Sequence, residues 1–168
     1  MNFCKYKTPV PFDDIILKSD GEFLTGLWFK NESENNKNVV ENIREGLEIF
    51  KQTRKWLDLY FSGNEPNFSL KFKFDCGTIF QKNVWKILEE IPFGKTVCYG
   101  EIANELSKQN KNGKMSAQAI GGAVKVNPIC IIVPCHRVIG KNNKLVGYAG
   151  GIENKKQLLM LEKVDIID

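Results

Sequence analysis

Residues Ser116 to Gly140 read SAQAIGGAVKVNPICIIVPCHRVIG, and the fold turns on how this stretch is parsed. Ser116 is a helix N-cap, and residues 116–127 have helical periodicity. Ala119, Ile120, Ala123 and Val124 form an apolar stripe, opposite Ala117, Gln118, Gly121, Gly122 and Lys125. Two exposed glycines cost roughly 1 kcal/mol each relative to alanine, and the bare face they leave lets another surface approach the backbone closely. The apolar run after Asn127, bracketed by Pro128 and Pro134, reads as a buried strand that delivers Cys135 to its end. Cys135 stands beside His136, the only histidine among 168 residues. That pairing serves a nucleophile, half a metal site, or chance.

Composition narrows the choice. A chain this long forms one domain or two small ones, and 42% hydrophobic with 26% charged residues is ordinary globular composition. No apolar run reaches membrane-spanning length, and the N-terminal MNFCKYKTPVPFDD lacks the apolar segment of a secretory signal. The cytoplasm is therefore the expected compartment. Five cysteines without a C-x-x-C spacing, and one histidine, predict reduced thiols and no structural zinc. Charge is uneven: residues 1–77 carry 11 Lys/Arg against 12 Asp/Glu, and residues 78–168 carry 13 against 8. The second half suggests a polyanionic partner such as nucleic acid, although on charge alone a solvated lysine surface serves equally well.

Upstream, DDIILKSDGEFLTGLWF predicts a hairpin around Ser19-Asp20-Gly21. NESENNKN (31–38) reads as a loop. Val39, Ile43, Leu47, Phe50, Leu57 and Phe61 recur at helical spacing, predicting one long helix or two in series, and FSLKFKF alternates like an edge strand. This is an α/β scaffold over residues 1–74. From Thr78 a helical region follows, covering 78–168. TIFQ is a capping box, Phe80, Val84, Ile87, Leu88 and Ile91 form one helix face, and PFGK is a turn. YGEIANEL is a short helix burying Ile102, Ala103 and Leu106, and with the glycine-faced helix it looks like a helix-turn-helix. Helix-on-helix packing would suit the small residues too.

Thiol chemistry needs the thiolate, and hence a base or a positive charge nearby. Adjacent side chains diverge, so a water between Cys135 and His136 is the expected proton carrier. In the C-terminal helix GIENKKQLLMLEKVD, Glu162 falls on the apolar stripe with Leu158 and Leu159 rather than on the lysine face. A carboxylate there requires a partner. His136 is one candidate and a lysine near a fraying helix end is the other.

Several motifs together resemble the O6-alkylguanine-DNA alkyltransferase family: FQKNVWKILEEIPFGKTVCYGEIA, AIGGAVKVNP, PCHRVIG, GYAGG and LLMLE. The resemblance runs from Thr78 to Glu162 and touches the first half only through LDLYFSG. It implies an α+β fold: a small, ribonuclease H-like N-terminal domain, then a mainly helical domain with a helix-turn-helix and the active-site cysteine. It implies direct-reversal repair of double-stranded DNA by a monomer, without cofactor or metal. An O6-alkylguanine, and in some cases O4-alkylthymine, is flipped out and its alkyl group, chiefly methyl, passes to Cys135 once per molecule. By position, His136 and Glu162 match the relay. Asn127 matches the link from recognition helix to active site, and Tyr99 the tyrosine that rotates the phosphate and assists the leaving base. Val146, Gly147, Tyr148 and Ala149 match the guanine-pocket loop. Gln118, Gly122, Lys125, Lys141 and Tyr99 match DNA-contacting positions.

The chain departs from the family pattern at some of these sites. Gln118 stands where an arginine often fills the gap left by the flipped base, Ala149 where serine is common, and Cys130 where proline is common. Cys130 reads as a small core residue of the buried strand. The loop Lys108 to Met115 is longer than in many relatives. Two other classes stay open at this stage: a non-catalytic lesion binder of the same fold, which would lack the acceptor cysteine, and a Cys-His-Glu hydrolase, for which the basic segment has no purpose.

Overall fold

Asp20 turns the chain at the N-terminal hairpin. Its carboxylate accepts the backbone N–H groups of Glu22 and Phe23 at 3.0 and 2.8 Å, and the Ser19 hydroxyl accepts that of Gly21 at 2.9 Å. Gly21 supplies the positive φ of 117° that the turn demands. The computed structural model describes residues 1–30, 43–109, 113 and 115–166, which fall into two units, Met1–Asp75 and Cys76–Asp168.

The first unit is a three-stranded antiparallel sheet in the order β1 (Asn2–Tyr6), β2 (Ile15–Ser19), β3 (Leu24–Phe29), covered by helix α1 (Glu48–Phe61). β2 is central, and Ile15, Ile16 and Leu17 are all buried, as a strand covered on both faces requires. α1 buries Ile49, Phe50, Thr53, Leu57 and Tyr60 along one face.

Three differences from the sequence reading stand out. β1 carries no alternation strong enough to predict it. α1 begins at Glu48 rather than near Val39; Ile43 instead makes a parallel bridge to Phe3, with the Arg44 N–H donating to the Phe3 carbonyl at 2.9 Å, so backbone pairing overrides helical spacing there. Val39 and the 31–38 loop lie outside the described residues. FSLKFKF forms no strand but a single bridge of Phe72 to Leu24, anchored by hydrogen bonds of 2.9 and 3.0 Å and by the ion pairs Lys73–Asp20 and Lys18–Asp75.

The second unit begins with α2 (Ile79–Glu89). Its capping box is formed in both directions: Gln81 N–H to the Thr78 hydroxyl at 3.2 Å, Thr78 N–H to the Gln81 side chain at 2.8 Å. β4 (Val97–Cys98) leads into α3 (Tyr99–Gln109), which buries Ile102, Ala103 and Leu106. After it come α4 (Ala117–Lys125), β5 (Val138–Ile139), which pairs in parallel with β4, and α5 (Ile152–Leu161). α3 and α4 pack against each other and both against α2. Of the loop expected at Lys108–Met115, Lys108 and Gln109 belong instead to α3, and residues 110–112 and 114 lie outside the described residues.

α4 buries Ile120, Ala123 and Val124, but Ala119 is exposed, which narrows its apolar stripe. The cause is Trp85 of α2, fully buried, whose indole N–H donates to the Ala123 carbonyl at 2.8 Å and sets the rotation of α4. Trp85→Phe should cost about 1–2 kcal/mol through the lost hydrogen bond, and Trp85→Ala about 3–5 kcal/mol, in urea denaturation.

Candidate active site

The site is built on the segment between α4 and β5. Asn127, just past α4, folds its side chain over the following residues: its Oδ1 accepts from Ile129 N–H at 3.0 Å and its Nδ2 donates to the Val133 carbonyl at 2.8 Å. These bonds correct the strand expected for residues 129–133. The segment is a buried turn, closed by Val133 N–H to the Ile129 carbonyl at 3.0 Å and Ile132 N–H to the Cys130 carbonyl at 2.8 Å. Ile131 sits at φ 69°, a left-handed conformation unfavourable for a β-branched residue. The clamp and the surrounding core hold it there, a kind of strain that concentrates at functional sites.

Cys135 opens a single 3-10 turn, Cys135–Arg137, and all three side chains are buried. The thiol is held below its ordinary pKa. The hydrogen bond with Cys130 contributes most and burial opposes it; hydrogen bonds with Asn127 and Tyr148 and the charge of Lys155 also favour the thiolate.

His136 points elsewhere, with its Nε2 2.7 Å from Glu162 Oε1. Glu162 sits at the end of α5 and also accepts from Arg137 Nε at 2.9 Å, Arg137 Nη2 at 3.0 Å and the Gly94 N–H at 3.0 Å. Arg137 completes its valences on the Ile91 carbonyl at 2.6 Å. Gly94 is required here: its φ is 72°, and a Cβ would meet the Glu162 carbonyl at 3.1 Å. Burial alone would raise the Glu162 carboxyl, but hydrogen bonds and charge from His136 and Arg137 outweigh it and hold the group well below the carboxylate range. Burial pushes the His136 imidazole down despite Glu162. An ionised Glu162 can only accept, so the neutral ring carries its proton on Nε2 and its lone pair on Nδ1.

A cavity of about 290 Å³ is lined by Tyr99, Gly121, Val124, Lys125, Gly147, Tyr148 and Ala149. Tyr148 lines it and also favours the Cys135 thiolate. Burial, then the negative charge on Cys135, raise the Tyr99 hydroxyl, which therefore keeps its proton. Gly121 faces the Tyr99 ring, where a Cβ would lie 3.7 Å from it.

Not every residue singled out from sequence meets at this cavity. Val146 is not among its lining residues; its carbonyl instead receives Lys155 Nζ at 3.1 Å. Gln118 and Gly122 lie on the exposed face of α4, and Lys141 is exposed in a turn after β5. Three participants escape the sequence reading. Arg137 directly follows His136, and a cation inside the buried CHRVI run needs a carboxylate, which was a usable signal. Lys155 reads as part of a lysine face but is buried, donating to the Val138 carbonyl at 2.6 Å; burial pushes it down to about 8, with Cys135 acting in the opposite sense. Cys130 is buried as expected, yet it is the group that most favours the Cys135 thiolate.

Residues 3–74 match the ribonuclease-like domain of 6-O-methylguanine DNA methyltransferase, and residues 79–164 match its DNA binding domain. The methylated-DNA–protein-cysteine methyltransferase of Haemophilus influenzae is 38% identical over 160 residues, covering 95% of this chain and 86% of that protein. The Methanosarcina acetivorans protein of the same name is 43% identical over 154 residues, covering 90% and 93%. Among solved structures, the O6-methylguanine methyltransferase of Mycobacterium tuberculosis superposes with a TM-score of 0.82 at 37% identity, covering 96% of this chain and 92% of that one. The Mycobacterium tuberculosis OGT in complex with DNA gives 0.83 at 36%, covering 97% and 93%. A ribonuclease-like α/β unit followed by a helical DNA-binding unit thus defines the class. The chain belongs to the 6-O-methylguanine DNA methyltransferase family.

The depressed pKa values of His136 and Glu162 set an acid limb. In the unfolded chain these groups bind protons near 6.5 and 4.5, and in the folded chain only at lower pH. Their contribution to stability is complete above about pH 6.5 and is lost as pH falls. Urea midpoints should therefore decline below pH 6.5 and more steeply below 4.5. Glu162→Gln should remove the second limb, and it should cost about 3–5 kcal/mol at pH 7 by leaving Arg137 buried and unpaired.

Proposed function

We propose that this chain repairs O6-alkylguanine in double-stranded DNA by transferring the alkyl group, chiefly methyl, to Cys135, and that each molecule does so once. The observation that carries the reading is a buried thiol held toward its thiolate and linked electrostatically to Tyr99 and Tyr148, which line a cavity beside a helix whose exposed face is Ala117, Gln118, Gly122 and Lys125. Small side chains let α4 lie close against a duplex, and Lys125 at its end supplies a phosphate contact. Gln118 stands in the first turn, where it fills the space of the extruded base and hydrogen-bonds the orphan partner.

The thiol proton goes to His136 Nδ1, directly or through a water, and Glu162 stabilises the imidazolium by accepting from Nε2. The thiolate sulfur, soft and polarizable, attacks the alkyl carbon. A C–S bond forms, the C–O bond at O6 breaks, and the electron pair leaves with guanine. Tyr99, which retains its proton, donates toward the leaving base. Lys155 offsets charge at the sulfur and, through the Val138 and Val146 carbonyls, holds the pocket loop against β5. A thioether has no route to hydrolysis in this constellation, so the acceptor is consumed. O4-alkylthymine presents an equivalent electrophilic carbon and is a second substrate in this reading. All five cysteines are thiols, which suits the cytoplasm, and the chain acts as a monomer.

Intact-mass analysis after incubation with an O6-methylguanine duplex should give one methyl adduct, mapped to Cys135 and absent in Cys135→Ser. Binding without an adduct would instead indicate a lesion-binding protein, and indifference to DNA a hydrolase. Gln118→Ala should slow single-turnover repair by roughly three- to tenfold, the worth of one hydrogen bond, while an unchanged rate would remove Gln118 from the flipping step.

A further inference from the structure

Cys130 is the one thiol next to the acceptor, and the backbone brings the two together. The turn at 129–133 reverses the chain between them through the left-handed Ile131. Both cysteines are then tied to Asn127: Cys130 Sγ lies 3.9 Å from the Asn127 carbonyl, and the Val133 carbonyl accepts from the Asn127 side chain and from the Cys135 N–H, each at 2.8 Å. Cys130 is the group that most favours the Cys135 thiolate, and the two side chains are 1% and 2% exposed. Alkyl transfer has no need of a second sulfur there. A pair of neighbouring buried thiols does have a chemistry of its own, since it can close to a disulfide of about 2.05 Å.

We propose that Cys130 is a resolving thiol, which forms a reversible disulfide with Cys135 when a peroxide oxidises the acceptor. The Cys135 thiolate attacks one oxygen of hydrogen peroxide, the O–O bond breaks, and hydroxide leaves, giving a sulfenic acid. Cys130 sulfur then attacks Cys135 sulfur; an S–S bond forms, the sulfenic oxygen leaves as water, and the Cys130 proton is released to it. Two thiols lose two protons and two electrons, and one peroxide becomes two waters. Hydrogen peroxide is small enough to enter by the cavity at Tyr148. The disulfide blocks the acceptor but spares it from sulfinic acid, which thiols do not reverse. A dithiol reductant restores it. The consequence for repair, though not the disulfide itself, rests on the reading of Cys135 as the alkyl acceptor.

Both cysteines fall in one tryptic peptide, Val126–Arg137. After treatment with hydrogen peroxide and alkylation of remaining thiols, that peptide should be lighter than the reduced, unblocked peptide by two hydrogens. Methyl transfer from O6-methylguanine DNA should be lost and should return to most of its untreated level with dithiothreitol. Cys130→Ala, measured against its own untreated level, should instead accumulate sulfinic acid at Cys135 and recover little. The proposal is overturned if the wild-type peptide only gains oxygen, or if Cys130→Ala recovers as fully as wild type. A disulfide that forms in a protein unable to accept methyl from DNA would uphold the pairing and overturn the transfer reading.

Discussion

The Glu162 carboxylate is the constraint around which the helical unit is organised. A buried anion is tolerated only when its lone pairs are occupied, and four donors occupy this one: His136, Arg137 twice, and Gly94. Satisfying it draws together the end of α5, the 3-10 turn of Cys135 and the PFGK turn after α2. Arg137 carries the link on to Ile91. The imidazole is thereby fixed in one tautomer, and the histidine acquires a defined basic nitrogen.

The thiol is governed by a second, separate device. Asn127 ends one element and clamps the next, so the position of the sulfur is tied to α4 through one amide. α4 is in turn held by the Trp85 indole. The helix that presents small residues outward and the turn that carries Cys135 share a frame, and the cavity beside α4 is lined by both Tyr99 and Tyr148.

Sequence reasoning succeeded where local signals and burial agree. The α2 capping box, the α3 stripe, the Asp20 hairpin and the apolar placement of Glu162 are all decided within a few residues. It failed where a distant or unusual bond overrides local preference. Residues 129–133 have strand composition, but an amide from Asn127 folds them into a turn. Ile43 has helical spacing, but Phe3 offers it a strand partner. Lys155 and Arg137 were hidden by their charge, because a basic residue is read as surface unless its buried acceptors are known. Those acceptors are backbone carbonyls and one carboxylate far along the chain, which no periodicity reveals. Ala119, small enough for either face, gave no basis for deciding which way it points.

The bonds at Glu162 also have a topological meaning. They span 68 residues to Gly94 and 26 to His136, and Arg137 reaches back 46 to Ile91. Contacts this far apart in sequence form late, after shorter loops have closed. During synthesis, Cys135 emerges before the carboxylate that orients its neighbouring base exists. The His136–Glu162 pair is therefore assembled last, and in a chain not yet extended to Glu162 the imidazole has no carboxylate to fix its tautomer.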